Sequence, residues 1–201
     1  MKIFARSLAA ATALAVALAA APSRAEDRNG YVVVKGGGYF PTASNAISVA
    51  SNPQTWSLNT AGDVEAAVGA SFGMLGFYVS GGYLWTNSNT SGTNVQVTGL
   101  PFSGVLQLRI PILFVVPYLE AGVGLLVNTA KAPSVSSTKT SFMVPAGGGV
   151  DFLLGPILLG AEARYLYVSP TTYDFGSSFS SNTATLRMSG VVVTANLGYR
   201  F

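Results

Sequence analysis

The sequence contains neither cysteine nor histidine, and it is poor in charged residues. Without cysteine, a lipoprotein-type lipid anchor and a thiolate metal site are both excluded. Without histidine, catalytic mechanisms that rely on an imidazole base are excluded as well. Charged residues make up only 9% of the 201 residues, whereas soluble domains carry about 25%. The surface of the folded protein is therefore not expected to meet water everywhere.

Long apolar runs are also missing from the sequence. A membrane-spanning helix needs about 20 consecutive apolar residues. Beyond the N-terminal 25 residues, the densest apolar stretch, from Ile110 to Leu119, is short and contains Pro111 and Pro117. In lipid every backbone polar group must find its partner within the protein, so only helices and closed β-barrels can span the bilayer. A membrane-like composition without a membrane helix thus indicates a barrel.

The N-terminus has the organisation of an export signal. Lys2 and Arg6 precede an apolar segment of 14 residues from Leu8 to Ala21, and a small-x-small cleavage site follows at Ser23-Arg24-Ala25. This arrangement predicts a cleaved secretory signal peptide over residues 1–25. The alternative is a retained amphipathic helix.

Removal of this segment changes the charge of the chain. Three of the 11 basic residues lie within it, so residues 26–201 hold eight basic and eight acidic residues. The net charge of the mature chain is then zero, and no nucleic-acid partner is expected.

Eight segments of the mature sequence alternate apolar residues with polar or small ones. A barrel strand in lipid shows this alternation over about ten residues, with its apolar side chains outward. No outward position carries a charge, whereas seven of the eight inward sets contain one. The pattern predicts a transmembrane, antiparallel, up-and-down β-barrel of eight strands as a single domain over residues 26–201. The predicted strands are 31–40, 64–72, 77–86, 102–110, 119–127, 142–152, 159–167 and 191–201.

The connections between these segments alternate in length, as barrel topology requires. Short connections are predicted to be periplasmic turns and long ones extracellular loops. Pro145 cannot donate a ladder hydrogen bond and predicts a bulge or a late start in the sixth strand. The soluble alternative, a lipocalin-like barrel, is disfavoured because the polar set is rich in glycine, which suits a crowded interior. The predicted turns are Gly73–Gly76, Pro111–Val116 and Leu153–Pro156, and the predicted loops are 41–62, 87–101, 128–141 and 169–185.

The inward charges predict an ionic network in the lumen. Four cations match four carboxylates, and a buried charge is tolerated chiefly when it is paired. Arg109 and Glu120 flank the second turn, so they are predicted to pair there and to form, with Asp151 and Arg200, a cluster that closes the inner mouth. The complete predicted network is Lys35, Glu65, Arg109, Glu120, Asp151, Glu162, Arg164 and Arg200.

Outward aromatic residues gather at the strand ends and predict two interfacial belts. An aromatic ring at an interface places its apolar body in lipid and its polar tip in water. Outer-membrane lipid and lipopolysaccharide are the expected partners of such belts. One belt comprises Phe40, Tyr83, Trp85, Phe102, Phe142, Tyr165 and Tyr167, and the other comprises Phe72, Phe77, Phe152, Tyr199 and Phe201.

Three motifs carry a family resemblance. The end of the chain, with Leu197, Tyr199 and Phe201 at alternate positions, resembles the C-terminal insertion signal of bacterial outer-membrane proteins. The segments Gly30–Tyr39 and Pro117–Gly124 resemble strands of the small barrels that include outer-membrane proteins A, X and W. The resemblance implies a Gram-negative outer-membrane protein that is exported through its signal peptide. It also implies recognition by the barrel assembly machinery, and a monomer is expected.

Two function classes remain open at this point. The first is a closed barrel that acts in envelope structure or surface interaction through its extracellular loops. The second is a narrow, porin-like channel for small or apolar solutes. A filled, charge-paired interior favours the first class, and the many inward glycines favour the second. The sequence does not define an external ligand.

Enzymatic activity is not expected from this chain. Outer-membrane barrel enzymes, such as lipid A deacylases, palmitoyl transferases, phospholipases and omptin proteases, use a histidine that is missing here. The alternative is an acid–base pair among the carboxylates Glu65, Glu120, Asp151 and Glu162. No spacing typical of a metal site is present, and no cofactor is expected.

Overall fold

The computed structural model describes residues 29–42, 47–49, 52–56, 58–90, 93–132, 135–174 and 183–201. The predicted signal peptide lies outside these residues. No helix with the length and apolarity needed to cross a membrane occurs among them. The described strands are β1 (Gly30–Pro41), β2 (Ile47–Val49), β3 (Asn52–Trp56), β4 (Ala61–Phe72), β5 (Leu75–Thr90), β6 (Thr93–Arg109), β7 (Val115–Ala132), β8 (Val135–Leu154), β9 (Ile157–Val168), β10 (Thr171–Asp174), β11 (Thr183–Leu186) and β12 (Gly190–Arg200).

Eight of these strands form a closed barrel in the order β1-β4-β5-β6-β7-β8-β9-β12. Each strand pairs antiparallel with the next barrel strand along the chain, and β12 returns to pair with β1. The prediction of an eight-stranded, antiparallel, up-and-down barrel is therefore confirmed. Every predicted strand segment falls on its own barrel strand, and no boundary overshoots by more than one residue.

The strands are inclined to the barrel axis. Following the paired residues once around the barrel from Phe40 leads back to β1 at Gly30, a shift of ten residues (from 40 to 30). With strands about 4.8 Å apart and a rise of about 3.3 Å per residue, this shift tilts the strands by about 40°. The tilt decides which inward side chains meet across the lumen.

Side chains alternate between the lumen and the outer wall as the sequence pattern requires. On β6, Leu106 is 71% exposed, whereas its neighbour Gln107 is 5% exposed. Most of the predicted belt aromatics are exposed on the outer wall. Tyr83 is half-buried, and its ring stacks on that of Trp85 with the centroids 5.8 Å apart. The outer wall is thus almost entirely apolar.

One end of the barrel, called the turn end here, carries the three short connections. Gly73 and Gly155 occupy two of the turns with φ angles of 61° and 64°, a left-handed conformation that glycine adopts without steric cost. The third turn places Leu113 in the same conformation, with a φ of 58°. The chain end also lies here, because the backbone N–H of Gly30 donates to the carbonyl of Phe201 at 3.1 Å.

The opposite end of the barrel differs from the prediction, because strands replace the predicted loops. The loops predicted at 87–101 and 128–141 are wrong: β5 pairs with β6 out to Thr90 and Thr93, and β7 pairs with β8 out to Ala132 and Val135. The described parts of the other two predicted loops include strands that form a four-stranded sheet in the order β10-β11-β2-β3. The crown, as the term is used here, is this sheet together with the two hairpin extensions, in which 86–90 pair with 93–97 and 128–132 pair with 135–139.

The bulge or late strand start predicted at Pro145 is also wrong, since β8 begins at Val135. The pairing of β7 with β8 keeps one register on both sides of the proline, from Ala121 opposite Ala146 to Gly124 opposite Met143. Proline has no backbone N–H, so it cannot donate a ladder hydrogen bond at this position. No extra residue is inserted into the strand, because the register is the same on both sides.

Candidate functional site

The interior of the barrel is the candidate site, and two layers of side chains fill it. The layer toward the crown is apolar. The layer toward the turn end is charged and hydrogen-bonded, and it also contains a smaller buried apolar cluster of Tyr31, Val33, Ala67, Tyr78, Val105 and Leu158. The charge layer comprises Lys35, Asp63, Glu65, Arg109, Glu120, Asp151, Glu162 and Arg164, all buried. The apolar layer comprises Tyr39, Leu58, Leu84, Val97, Leu126, Met143, Leu166, Val168, Leu186, Met188 and Val192.

Arg164, from β9, is the central cation of the charge layer. Both of its terminal nitrogens donate to the carboxylate of Glu65 on β4, and the longer of these two bonds is 3.2 Å. The same guanidinium lies 3.5 Å from Oε1 of Glu162 and 4.0 Å from Oδ2 of Asp63. A planar guanidinium suits this task, because its fork of donors can serve several carboxylates at once.

Lys35, from β1, joins two sides of the lumen. Its Nζ lies 2.7 Å from Oε2 of Glu162 and donates to the hydroxyl of Tyr78 at 3.0 Å. The Tyr78 hydroxyl donates in turn to Oε2 of Glu120 at 3.1 Å. The hydroxyl of Tyr118 donates to Glu162 at 3.0 Å. A continuous network of ion pairs and hydrogen bonds therefore crosses the lumen at mid-height.

Arg109 anchors the charge layer at the turn end. Its guanidinium lies 2.7 Å from Oδ2 of Asp151 and donates to Oε1 of Gln107 at 2.8 Å. The rings of Tyr31 and Tyr118 lie 5.8 Å and 5.5 Å from its central carbon, within the range of cation–π attraction. Arg109 is thereby held across the inner mouth of the barrel.

The predicted pairing of Arg109 with Glu120 is wrong. In the register of β6 and β7, Glu120 lies opposite Gln107, and the Gln107 amide donates to Glu120 at 3.1 Å. Arg200, predicted to join the inner cluster, is half-exposed at the turn end, where its backbone N–H donates to the carbonyl of Pro156 at 2.7 Å.

The predicted balance of four cations and four carboxylates is also corrected. Asp63, which was not predicted to belong, is buried with the others. The charge layer therefore holds five carboxylates and three cations, a formal excess of two negative charges. Oδ2 of Asp63 and Oε1 of Glu120 accept no hydrogen bond from the described residues. Because of this excess, the loss of one cation is expected to destabilise the barrel more than the loss of one carboxylate.

Inward glycines make room for large side chains rather than for a pore. A Cβ added at Gly69 would lie 2.8 Å from Cζ of Tyr31, and one at Gly149 would lie 2.6 Å from the hydroxyl of Tyr118. Both distances are shorter than real contacts allow. The tyrosines therefore lie across the lumen in the space that the glycines leave, and the inward glycines do not favour a channel.

The sequence pattern does not predict the apolar layer, because the inward positions of a lipid-facing barrel strand are expected to be polar or small. Inward Leu126 is 1% exposed beside outward Leu125, which is 52% exposed. Residues from the crown segments complete the layer, and the Tyr39 hydroxyl donates to the carbonyl of Met188 at 2.8 Å. A signal for it exists in the sequence: alternation is lost in the apolar runs 125–127 and 191–193, which is typical of burial on both faces.

The chemistry available to this interior is limited. In the described part of the chain, no group of three or more acidic side chains is arranged to hold a metal ion. The carboxylates are engaged with arginine, lysine, glutamine and tyrosine side chains, and both layers are buried. The arrangement links inward side chains of different strands to one another across the lumen.

Family membership follows from a comparison that covers almost the whole chain. Residues 8–201 match the family model of the outer membrane protein beta-barrel domain. The chain belongs to this family. Members of the outer-membrane barrel family lie in the outer membrane, which accounts for the apolar outer wall and for the closed sheet. Among curated proteins, none matches the sequence significantly.

Among solved structures, Neisserial surface protein A supports the same barrel fold, and two further outer-membrane barrels show a weaker likeness. Neisserial surface protein A is 17% identical, with a TM-score of 0.57 over 86% of this chain and 97% of that chain. The attachment invasion locus protein Ail of Yersinia pestis is 13% identical, with a TM-score of 0.49 over 86% and 99%. The N-terminal barrel domain of OprF from Pseudomonas aeruginosa is 12% identical, with a TM-score of 0.48 over 86% and 98%. At 17% identity, the likeness to Neisserial surface protein A shows the fold alone.

Proposed function

We propose that this protein is a closed, non-enzymatic barrel that presents its crown at the cell surface for interaction and envelope structure. The single observation that carries the proposal is the two-layer filling of the lumen. A channel needs a connected polar path, whereas here an apolar layer of buried side chains lies between the charge layer and the crown. Eight-stranded barrels are just wide enough for side chains to fill them.

The crown is the part of the molecule suited to meet a partner. In outer-membrane barrels the longer connections face the outside and the short turns face the periplasm. Residues 87–96 contain no charged residue, and residues 128–141 contain only two lysines among many serines and threonines. Such a surface offers hydroxyl and amide groups on a paired β-framework, which favours neutral, hydrogen-bonding partners over highly charged ones.

The outer wall and the C-terminus support the remaining parts of the proposal. The exposed aromatic residues of the two belts would contact outer-membrane lipid and lipopolysaccharide at both interfaces. Leu197 and Tyr199 are exposed on the outer wall, and Phe201 closes the barrel against Gly30. These three alternate residues are available for the barrel assembly machinery before closure. Residues 1–25 would serve as the export signal.

The first test is conductance. We expect the refolded protein to show no discrete conductance steps in planar lipid bilayers at high salt, because both layers obstruct the lumen. Folding is verified by SDS gels, in which a closed barrel that retains its backbone hydrogen bonds migrates differently before and after boiling. Regular single-channel steps from the heat-modifiable species would refute the closed barrel and favour the solute channel.

The second test removes the hairpin extensions of the crown. Replacing residues 88–95 and 130–137 each by Asn-Gly leaves the pairs Asn87–Gln96 and Thr129–Thr138 next to a two-residue hairpin turn. We expect cells that display the trimmed barrel to lose adherence to collagen, polystyrene or neighbouring cells relative to cells with the full chain. The trimmed barrel should retain heat-modifiable migration. Equal adherence of the two strains on all three surfaces would contradict a role for these hairpins.

A further inference from the structure

The turn between β6 and β7 is exposed and apolar. Leu113, at its tip, is 91% exposed, more than any other large hydrophobic residue among those described. Residues 110–116 contain no charged residue, and Arg109, which precedes them, points into the lumen. The exposed apolar residues at this place are called the apolar foot here and comprise Ile110, Ile112, Leu113, Phe114 and Leu154.

Hydrogen bonds hold the apolar foot in one conformation. Ile112 and Val115 exchange two backbone bonds of 2.8 Å and 3.0 Å. The backbone N–H of Leu153 on β8 donates to the carbonyl of Phe114 at 2.8 Å, which ties the turn to the neighbouring hairpin. The apolar tip is therefore an ordered part of the barrel, and it presents its side chains at a fixed height.

The backbone at the tip carries a second unfavourable feature. Leu113 adopts the left-handed conformation that the other two turns assign to Gly73 and Gly155. A side chain in this region is strained, and such strain is kept where the surroundings favour that residue. A large apolar side chain in water adds a further cost. Both costs fall on one residue, which indicates that Leu113 does not face water.

The position of the foot identifies what covers it. The outward row just inside the turn, Leu108 and Leu119, belongs to the lipid-facing wall, and Phe152 lies outward beside Val115. The foot continues this wall past the ends of the strands with no polar residue between them. We infer that the apolar foot inserts into the phospholipid leaflet on the periplasmic side, with Leu113 and Phe114 among the acyl chains.

The inference concerns one edge of the barrel. It shares with the proposed function the placement of the short turns on the periplasmic side, but it does not depend on what the crown binds. An immersed foot would fix the depth of the barrel in the membrane on this side. The rest of the turn end is mixed, with the exposed, apolar Met74 and Leu75 and the exposed, polar Asn29. A periplasmic protein is the competing occupant. If such a protein covered the foot, the foot would face water in a membrane that holds only the barrel.

Tryptophan fluorescence tests the inference directly. In a Trp56→Phe, Trp85→Phe background, Phe114→Trp and Leu113→Trp each introduce a single reporter into the foot. We expect short-wavelength emission in phosphatidylcholine–phosphatidylethanolamine vesicles and loss of most of that emission when the acyl chains are brominated. Asn29→Trp, at the same barrel end, is the matched control and should emit at long wavelength and be quenched by aqueous acrylamide.

Two outcomes would overturn the inference. Long-wavelength emission that acrylamide quenches and brominated lipid does not, in both foot variants, would place the foot in water. Shielding that arises only after a periplasmic extract is added would assign the foot to a protein partner. Heat-modifiable migration identifies the folded variants, and two reporter positions keep the test valid if one of them does not fold.

Discussion

Arg164→Met is expected to lower the free energy of unfolding by about 3–5 kcal/mol, the cost of leaving a buried charge without its partner. Arg164 is buried, donates twice to Glu65 and lies close to Glu162 and Asp63. Its removal raises the formal excess of negative charge in the lumen from two to three. Urea-induced unfolding from phospholipid vesicles, followed by intrinsic fluorescence, measures the loss.

Two further variants test the reason for this effect. Arg164→Met combined with Glu65→Gln should recover part of the loss, because the second change removes the carboxylate that the first one strands. Glu120→Gln keeps an acceptor for the Tyr78 hydroxyl and lowers the charge excess, so it should be neutral or stabilising. If Glu120→Gln destabilised as much as Arg164→Met, the charge excess would not govern the stability of the lumen.

Ala163→Arg is expected to lower the stability of the barrel in the bilayer by about 2–4 kcal/mol, the cost of a cation facing lipid near the midplane. Ala163 is exposed on the outer wall near the middle of β9, between Gly148 and Val193. The small neighbour Gly148 leaves room for a larger side chain, so a steric explanation does not apply. Folding yield into vesicles and urea unfolding both report the change.

The matched control for this prediction is Ala163→Leu. It adds a side chain of considerable size at the same place without a charge, and it should be neutral or slightly stabilising because it adds apolar surface to lipid. Equal losses for leucine and arginine would mean that size, rather than charge in lipid, limits this position. Full stability of the arginine variant would contradict the assignment of Ala163 to the lipid-facing wall.

The barrel wall was predictable because the side-chain period of a strand is two residues. Once Lys35, Glu120 or Arg164 faces inward, every second residue of its strand does so too. The crown hairpins could not be predicted from the sequence, because Ser, Thr and Asn occur in turns and loops as well as in paired strands. Only the pairing with a neighbour, such as Thr129 opposite Thr138, distinguishes the two.

The partners within the lumen could not be predicted either, since they depend on the tilt of the barrel. The shift of ten residues brings Arg109 to Asp151 instead of Glu120, and Arg164 to Glu65 across 99 residues of sequence. Hairpin topology predicts only that residues of adjacent strands at similar distances from their turn lie at a similar depth in the membrane. The rotation of one side of the barrel against the other is a property of the closed sheet as a whole.

The sequence by itself determined the membrane environment, the closed antiparallel barrel, the number of barrel strands and the face on which their side chains lie. These follow from local alternation and from the backbone's need for hydrogen bonds in lipid. The tertiary structure alone decided the ion-pair partners, the inclusion of Asp63, the apolar layer and the crown sheet. Each of these depends on contacts between residues far apart in the chain, whose geometry is fixed only when the barrel closes.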